Sequence, residues 1–156
     1  MNGNFALLLS IKWSYASLIF DGSKRFELRR TRPRVLPGAP VWVYAPSPHK
    51  MMVGGFTVQQ VIAKPPTKLW RLVGAESGIS KSEFMDYFEG ASTAYAIEVE
   101  NVWQLESPIS LDILRRRMPL FHPPQVFRYL SPYQQRQLMP EVQEEASKNQ
   151  TFLLAG

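Results

Sequence analysis

Gly22-Ser23-Lys24-Arg25-Phe26-Glu27-Leu28-Arg29 is the stretch on which the reading of this chain turns. Its glycine suits the end of a helix, because glycine enters the left-handed backbone region at no steric cost. The residues after it alternate. Phe26 and Leu28 face one side, and Arg25, Glu27 and Arg29 face the other, which is the period of a half-buried strand. A helix ends here, the chain turns, and a strand begins, with Lys24 at the junction. Side chains two apart share a face, so Glu27 and Arg29 put a carboxylate and a guanidinium fork on one wall, opposite a core face of Phe26 and Leu28. A carboxylate accepts from a cytosine amino group, and arginine suits guanine edges or phosphate. The plainer reading is a same-face ion pair, which contributes little when exposed.

Upstream, Phe5 to Lys12 reads as a buried strand, and Ser14 as the cap of a short helix carrying Ala16, Leu18, Ile19 and Phe20. Downstream, Pro33 to Gly38 is a turn and Val41 to Ala45 a strand. Met51 to Ile62 is a longer strand broken by Gly54-Gly55, a pair that marks a bulge or a close backbone approach. Ser80 with Glu83 forms a capping box, and Ile79 with Phe84 fits the hydrophobic staple; Gly90 closes that helix. Thr93 to Leu105 is a strand. Ser110 caps a helix whose Arg115-Arg116-Arg117 complements the C-terminal end of the dipole. Ser131-Pro132 opens another helix, and Glu141 to Lys148 reads as helical. The thirteen prolines fall mostly between these elements as loop punctuation. About five strands with short helices and no βαβ alternation predict an α+β fold, a small and partly open barrel. A length of 156 residues fits one domain, placed here at 1–140, with a C-terminal helix and tail over 141–156.

The chain has no cysteine. That excludes disulfides, thiol nucleophiles, iron–sulfur ligation and thiolate zinc sites, and fits a reducing compartment. His49 and His122 are the only histidines, too isolated for a zinc site. There is no nucleophile elbow, no phosphate-binding loop and no dinucleotide fingerprint, so no cofactor is expected. No apolar run approaches the ~20 residues of a membrane span. The apolar stretch Phe5–Ile11 has no positive residue before it, unlike a signal peptide, so the expected address is cytoplasmic. The net charge of +5 is concentrated: residues 1–50 carry eight Lys/Arg against two acids. Lys24, Arg25, Arg29, Arg30, Arg32 and Arg34 lie within eleven positions, opposed only by Glu27. Such a patch attracts a polyanion, most often nucleic acid; the alternative is a solvated edge whose charges block strand pairing.

Leu8-Leu9-Ser10-Ile11-Lys12, then Tyr15-Ala16, then Gly22 to Arg29 resemble the start of the ASCH domain, a branch of the PUA-like superfamily. Gly38 to Ala45 with Ser47-Pro48, then Val53-Gly54 leading into Phe56, are similar to its second and third strands. Pro124-Gln125-Val126-Phe127-Arg128-Tyr129-Leu130-Ser131 is similar to the segment that closes many such domains. The resemblance runs over residues 5–138, and G-x-K-x-x-E-x-R is its most specific part. It implies a PUA-like β-barrel with a cleft between barrel and helices, and RNA or DNA as ligand. One bacterial branch hydrolyses acetylcytidine with a lysine, a threonine and a glutamate, and a few relatives are ribonucleases. Lys24 matches the lysine. Glu27 stands where that branch has threonine, which removes the expected hydroxyl nucleophile. Glu76 matches the region that supplies the glutamate. Trp13 stands where many members carry proline.

Three roles stay open for Lys24. Burial lowers a lysine pKa and favours the neutral amine of a base; a carboxylate from Glu27 or Glu76 keeps it charged to grip phosphate; or it is a salt bridge that orients the loop. Trp13 and Tyr15 offer stacking faces, worth roughly 1–3 kcal/mol per base, or they are core. Arg128 is read as facing a groove, and Ser47 as a contact to phosphate or part of a plain turn. The leading expectation is a nucleic-acid-binding module, RNA ahead of DNA. One base enters near Trp13, Tyr15, Lys24, Glu27 and Arg29, and the backbone follows Lys24 to Arg34 through Arg25, Arg30 and Arg32. The alternative is a small hydrolase, acetylcytidine amidohydrolase-like or a ribonuclease, with Lys24, Glu27 and Glu76 as its catalytic groups. A protein partner stays open through Met51-Met52 and the C-terminal surface.

Overall fold

A computed structural model describes residues 4–142. The elements are β1 (Ala6–Ser10), α1 (Trp13–Phe20), β2 (Phe26–Arg29), β3 (Pro40–Ala45), β4 (Met51–Lys64), α2 (Pro66–Val73), α3 (Lys81–Tyr87), β5 (Ala94–Ser110), α4 (Leu111–Arg117), β6 (Arg128–Leu130) and α5 (Pro132–Leu138). The six strands form one mixed sheet in the order β2-β5-β4-β3-β1-β6, curled into a half-barrel. The α+β expectation holds, with six strands rather than five. No helix among the described residues is long and apolar enough to cross a membrane.

β1 pairs in parallel with β3 and antiparallel with β6, and it is covered on both faces. Leu7 and Leu9 join Val41, Val43, Phe56 and the α1 residues Ala16 and Ile19. Ala6 and Leu8 join Trp42, Tyr44, Leu114 of α4 and Leu138 of α5. Two-sided burial is why the segment reads as an unbroken apolar run. β4 and β5 make the longest pairing, with three register shifts. At Gly55 the Trp103 ring and the Val41 carbonyl crowd the place a Cβ would take, the close approach that the glycine pair predicted. α2 and α3 lie between β4 and β5, where Leu69, Val73, Phe84 and Phe88 cover Phe26 and Leu28 of β2.

Several local expectations need correction. α1 begins at Trp13 with Lys12 as its cap residue, and Ser14 lies inside the first turn. Pro65-Pro66 does more than punctuate: Pro66 opens α2, at the first turn where a missing N–H costs nothing. β5 runs on to Ser110. Ser80, Ser110 and Ser131 cap their helices, each hydroxyl accepting from the backbone N–H three residues on. The reciprocal bond of a capping box forms at Ser131–Gln134, whereas at Ser80 the Glu83 carboxylate accepts from the serine hydroxyl at 3.1 Å instead. The rest of the expected helix at Glu141–Lys148, and the tail, lie outside the described residues.

β2 and β6 are the sheet's two edges, so the half-barrel has an open seam between them. Side chains cross it. Arg29 donates to the Val126 carbonyl at 2.8 Å and to the Ser10 carbonyl at 3.2 Å. The Arg34 backbone N–H donates to the Tyr129 hydroxyl at 2.8 Å.

Candidate functional site

The turn after α1 aims Lys24 inward. Gly22 takes φ +88°, and the Asp21 carboxylate accepts from the Ser23 N–H at 2.8 Å, a side-chain turn of the kind aspartate favours. The Lys24 N–H then returns to the Leu18 carbonyl at 2.9 Å, and the Arg25 N–H reaches the Glu76 carbonyl at 2.9 Å. Ser77 and Gly78 close over the lysine. The Ser77 carbonyl accepts from Nζ, and Gly78, at φ +76°, lies so near the Lys24 stem that a Cβ would press it at 3.1–3.2 Å.

All four side chains of β2 are buried. Phe26 and Leu28 go to the core beneath α2 and α3, and Glu27 and Arg29 go to the opposite side. There Lys24, Glu27 and Arg29, exposed by 3%, 7% and 8%, share one cavity. Lys24 Nζ is 3.8 Å from Glu27 Oε2, and Arg29 Nη2 is 3.1 Å from Glu27 Oε1. Nζ also stands 5.8 Å from the centre of the Tyr15 ring, within cation–π range. Burial pushes the Lys24 pKa below its ordinary value; Glu27 opposes that shift and Arg29 adds to it. Among the described residues the buried Arg29 Nε has no hydrogen-bond partner.

The cavity holds about 370 Å³, at the small end of ligand sites. Tyr15 of α1 and Tyr87 of α3 give it aromatic walls, with Gln125 from the segment before β6 and Glu83 also at its lining. Burial raises the Tyr87 pKa, and its hydroxyl donates to the Leu28 carbonyl at 3.3 Å. Sequence reading missed Tyr87, Glu83 and Gln125 as site residues. The available signal was the i,i+4 spacing of Glu83 and Tyr87, which puts both on one helix face.

The other candidates are dispersed. Glu76 stays outside the cavity, 3.4 Å from Arg25 in a half-exposed pair. Arg30 donates to the Tyr87 and Glu89 carbonyls at 2.7 and 3.0 Å, a brace at the end of α3. Trp13 packs against Phe20 and His49, with ring centres 6.2 and 5.7 Å apart, and does not line the cavity. Ser47 is exposed in the β3–β4 loop. Arg128 lies over the Phe121 ring at 5.8 Å. Arg32 and Arg34 line a second hollow. Among the described residues no cluster of histidine and acidic side chains could hold a metal.

The ASCH domain family model matches residues 9–110, from β1 to the end of β5. The chain belongs to the ASCH domain family. This ASCH domain is 31% identical over 123 residues to an ASCH domain-containing ribonuclease of Zymomonas mobilis, across 79% of this chain and 82% of that protein. A crystal structure of ASCH from Zymomonas mobilis matches it with a TM-score of 0.82 at 29% identity, covering 87% of this chain and 94% of that one. The N-terminal domain of Staphylothermus marinus McrB matches at TM-score 0.56 and 12% identity, a likeness of fold alone.

Proposed function

We propose that this ASCH domain binds single-stranded RNA and takes one base into the cavity walled by Lys24, Glu27 and Arg29. The observation that carries the reading is the burial of all three charges at one small cavity with aromatic walls. An unpaired RNA base presents donors and acceptors on one edge and a flat face for stacking. Glu27 accepts from an amino or imino group, Lys24 and Arg29 donate to ring nitrogen or carbonyl, and Tyr15 and Tyr87 supply apolar faces. The similarity to an ASCH domain-containing ribonuclease supports RNA over DNA. The test is titration of the chain with RNA and DNA oligomers at near-physiological salt. Saturable RNA binding that weakens with salt is expected; no RNA binding overturns the reading.

The second reading is ribonuclease activity, favoured by the same relative and by the lowered proton affinity of Lys24. A neutral amine takes the proton of a ribose 2′-hydroxyl, the 2′-oxygen attacks phosphorus, and the 5′-oxygen leaves with a proton from solvent or an acid at the rim. The rate then rises with pH through a lysine pKa below the ordinary range, and Lys24→Ala abolishes it. RNA cleavage that survives Lys24→Ala excludes this mechanism. Acetylcytidine deacetylation is favoured less: Glu27 stands in place of the hydroxyl residue, and Glu76 lies outside the cavity.

A further inference from the structure

The basic stretch that looks continuous in sequence is divided in the fold. Lys24 and Arg29 are buried, Arg25 faces Glu76, and Arg30 braces the end of α3. Arg32 and Arg34 remain: both are exposed, and neither guanidinium has a hydrogen-bond partner or carboxylate pair among the described residues. They line a hollow of about 770 Å³, twice the size of the base cavity. Its other walls include Val35, Leu36, Val61 and Tyr129. The Tyr129 oxygen is already an acceptor from the Arg34 N–H, which leaves its own hydrogen to donate. The smaller is lined by Ser10, Arg29 and Gln125, and the larger by Phe5, Arg34 and Tyr129, so the two sit at opposite ends of β1, about 17 Å apart along its five residues, and the same two flanking segments run from one to the other. Two exposed guanidiniums over an apolar and tyrosine floor match a nucleotide, with phosphate on arginine and base on the ring.

We propose that the Arg32–Arg34–Tyr129 hollow is a second nucleotide-binding site, so that a continuous single-stranded RNA of several nucleotides runs along the seam, with one base in the Lys24 cavity and a nucleotide farther along the strand, beyond the reach of a dinucleotide, here. This rests on the RNA reading above and adds that the ligand is an oligonucleotide rather than a nucleoside.

The test uses the full chain and 5′-fluorescein RNAs of two and eight nucleotides, read by anisotropy. In the wild type the octamer binds more tightly than the dinucleotide. Arg32→Ala/Arg34→Ala weakens the octamer about tenfold, the scale of one lost hydrogen bond to a charged group, and leaves the dinucleotide unchanged. The Arg34 backbone bond to Tyr129 survives alanine, and unchanged thermal unfolding verifies the fold. Leu36→Glu, at a site 72% exposed, places a negative charge on the same rim and also weakens only the octamer. Equal octamer affinity in wild type and both variants overturns the second site while leaving the base cavity standing. No binding of either RNA to the wild type overturns the RNA reading and this inference together.

Discussion

The two hollows at the seam treat charge in opposite ways. In the smaller one Lys24, Glu27 and Arg29 are almost fully desolvated and hold one another at 3.1 and 3.8 Å. In the larger one Arg32 and Arg34 stand in solvent above apolar walls. A desolvated donor or acceptor penalises any ligand group that fails to match it, so on the proposed reading the small cavity is the part that discriminates. A solvated arginine attracts any phosphate and is screened by salt, so on the same proposal the large hollow adds affinity without choosing a sequence.

The largest effect separating the regions is on stability. Arg29→Ala takes from the Glu27 carboxylate its 3.1 Å partner, leaving only Lys24 at 3.8 Å, and removes the donor to the Val126 and Ser10 carbonyls. Breaking a buried pair costs about 3–5 kcal/mol, so urea unfolding shows a loss of that order. A loss below about 1 kcal/mol would mean that the seam is held by other contacts. Arg32→Ala/Arg34→Ala, by contrast, stays within about 0.5 kcal/mol of wild type, the usual range of surface changes. Glu27→Gln comes next. It keeps the shape but gives up the charged acceptor, and lowers affinity for the preferred base by about 1–3 kcal/mol in titrations with RNAs differing at one position. Uniform weakening across all bases would assign Glu27 to the frame rather than to discrimination.

A smaller effect concerns pH. Burial depresses the Lys24 pKa in the folded state. Between that value and the unfolded one the unfolded chain binds more protons, so Lys24 contributes stability that is complete above about pH 10.4 and is lost as pH falls through the folded pKa. Unfolding measured across this alkaline window is expected to show this rise in wild type and not in Lys24→Met. Smallest is Glu76→Gln. Its half-exposed pair with Arg25 is worth at most about 1 kcal/mol, and RNA binding stays at the wild-type level. A marked loss of binding or turnover would return Glu76 to the site.

The alternation of Phe26 to Arg29 was legible because it is local: period two sent two side chains to the core and two to the cavity, as read. The enclosure was not legible. Lys24 is buried by Ser77 and Gly78, and Arg29 is fixed by Val126, 97 positions away; periodicity carries no information at such separations. α2 was missed because its prolines look like loop residues, although Leu69 and Val73 keep a helical i,i+4 spacing. β6 has only three residues, too short for alternation to register. The basic run misled in the other direction. Six cations close in sequence suggested one surface, but alternation and capping sent them to four different surroundings.

The central claim is that the Lys24 cluster is a receptor and not a brace. It is tested by measuring RNA affinity and unfolding free energy on the same preparation of Lys24→Met. The folded environment opposes the lysine's charge, and Glu27 keeps Arg29 as its partner. Affinity for a short RNA is therefore predicted to fall about tenfold or more, the scale of one lost polar contact to a base, with stability at neutral pH unchanged or raised. Intact RNA affinity in a destabilised Lys24→Met protein would contradict the account.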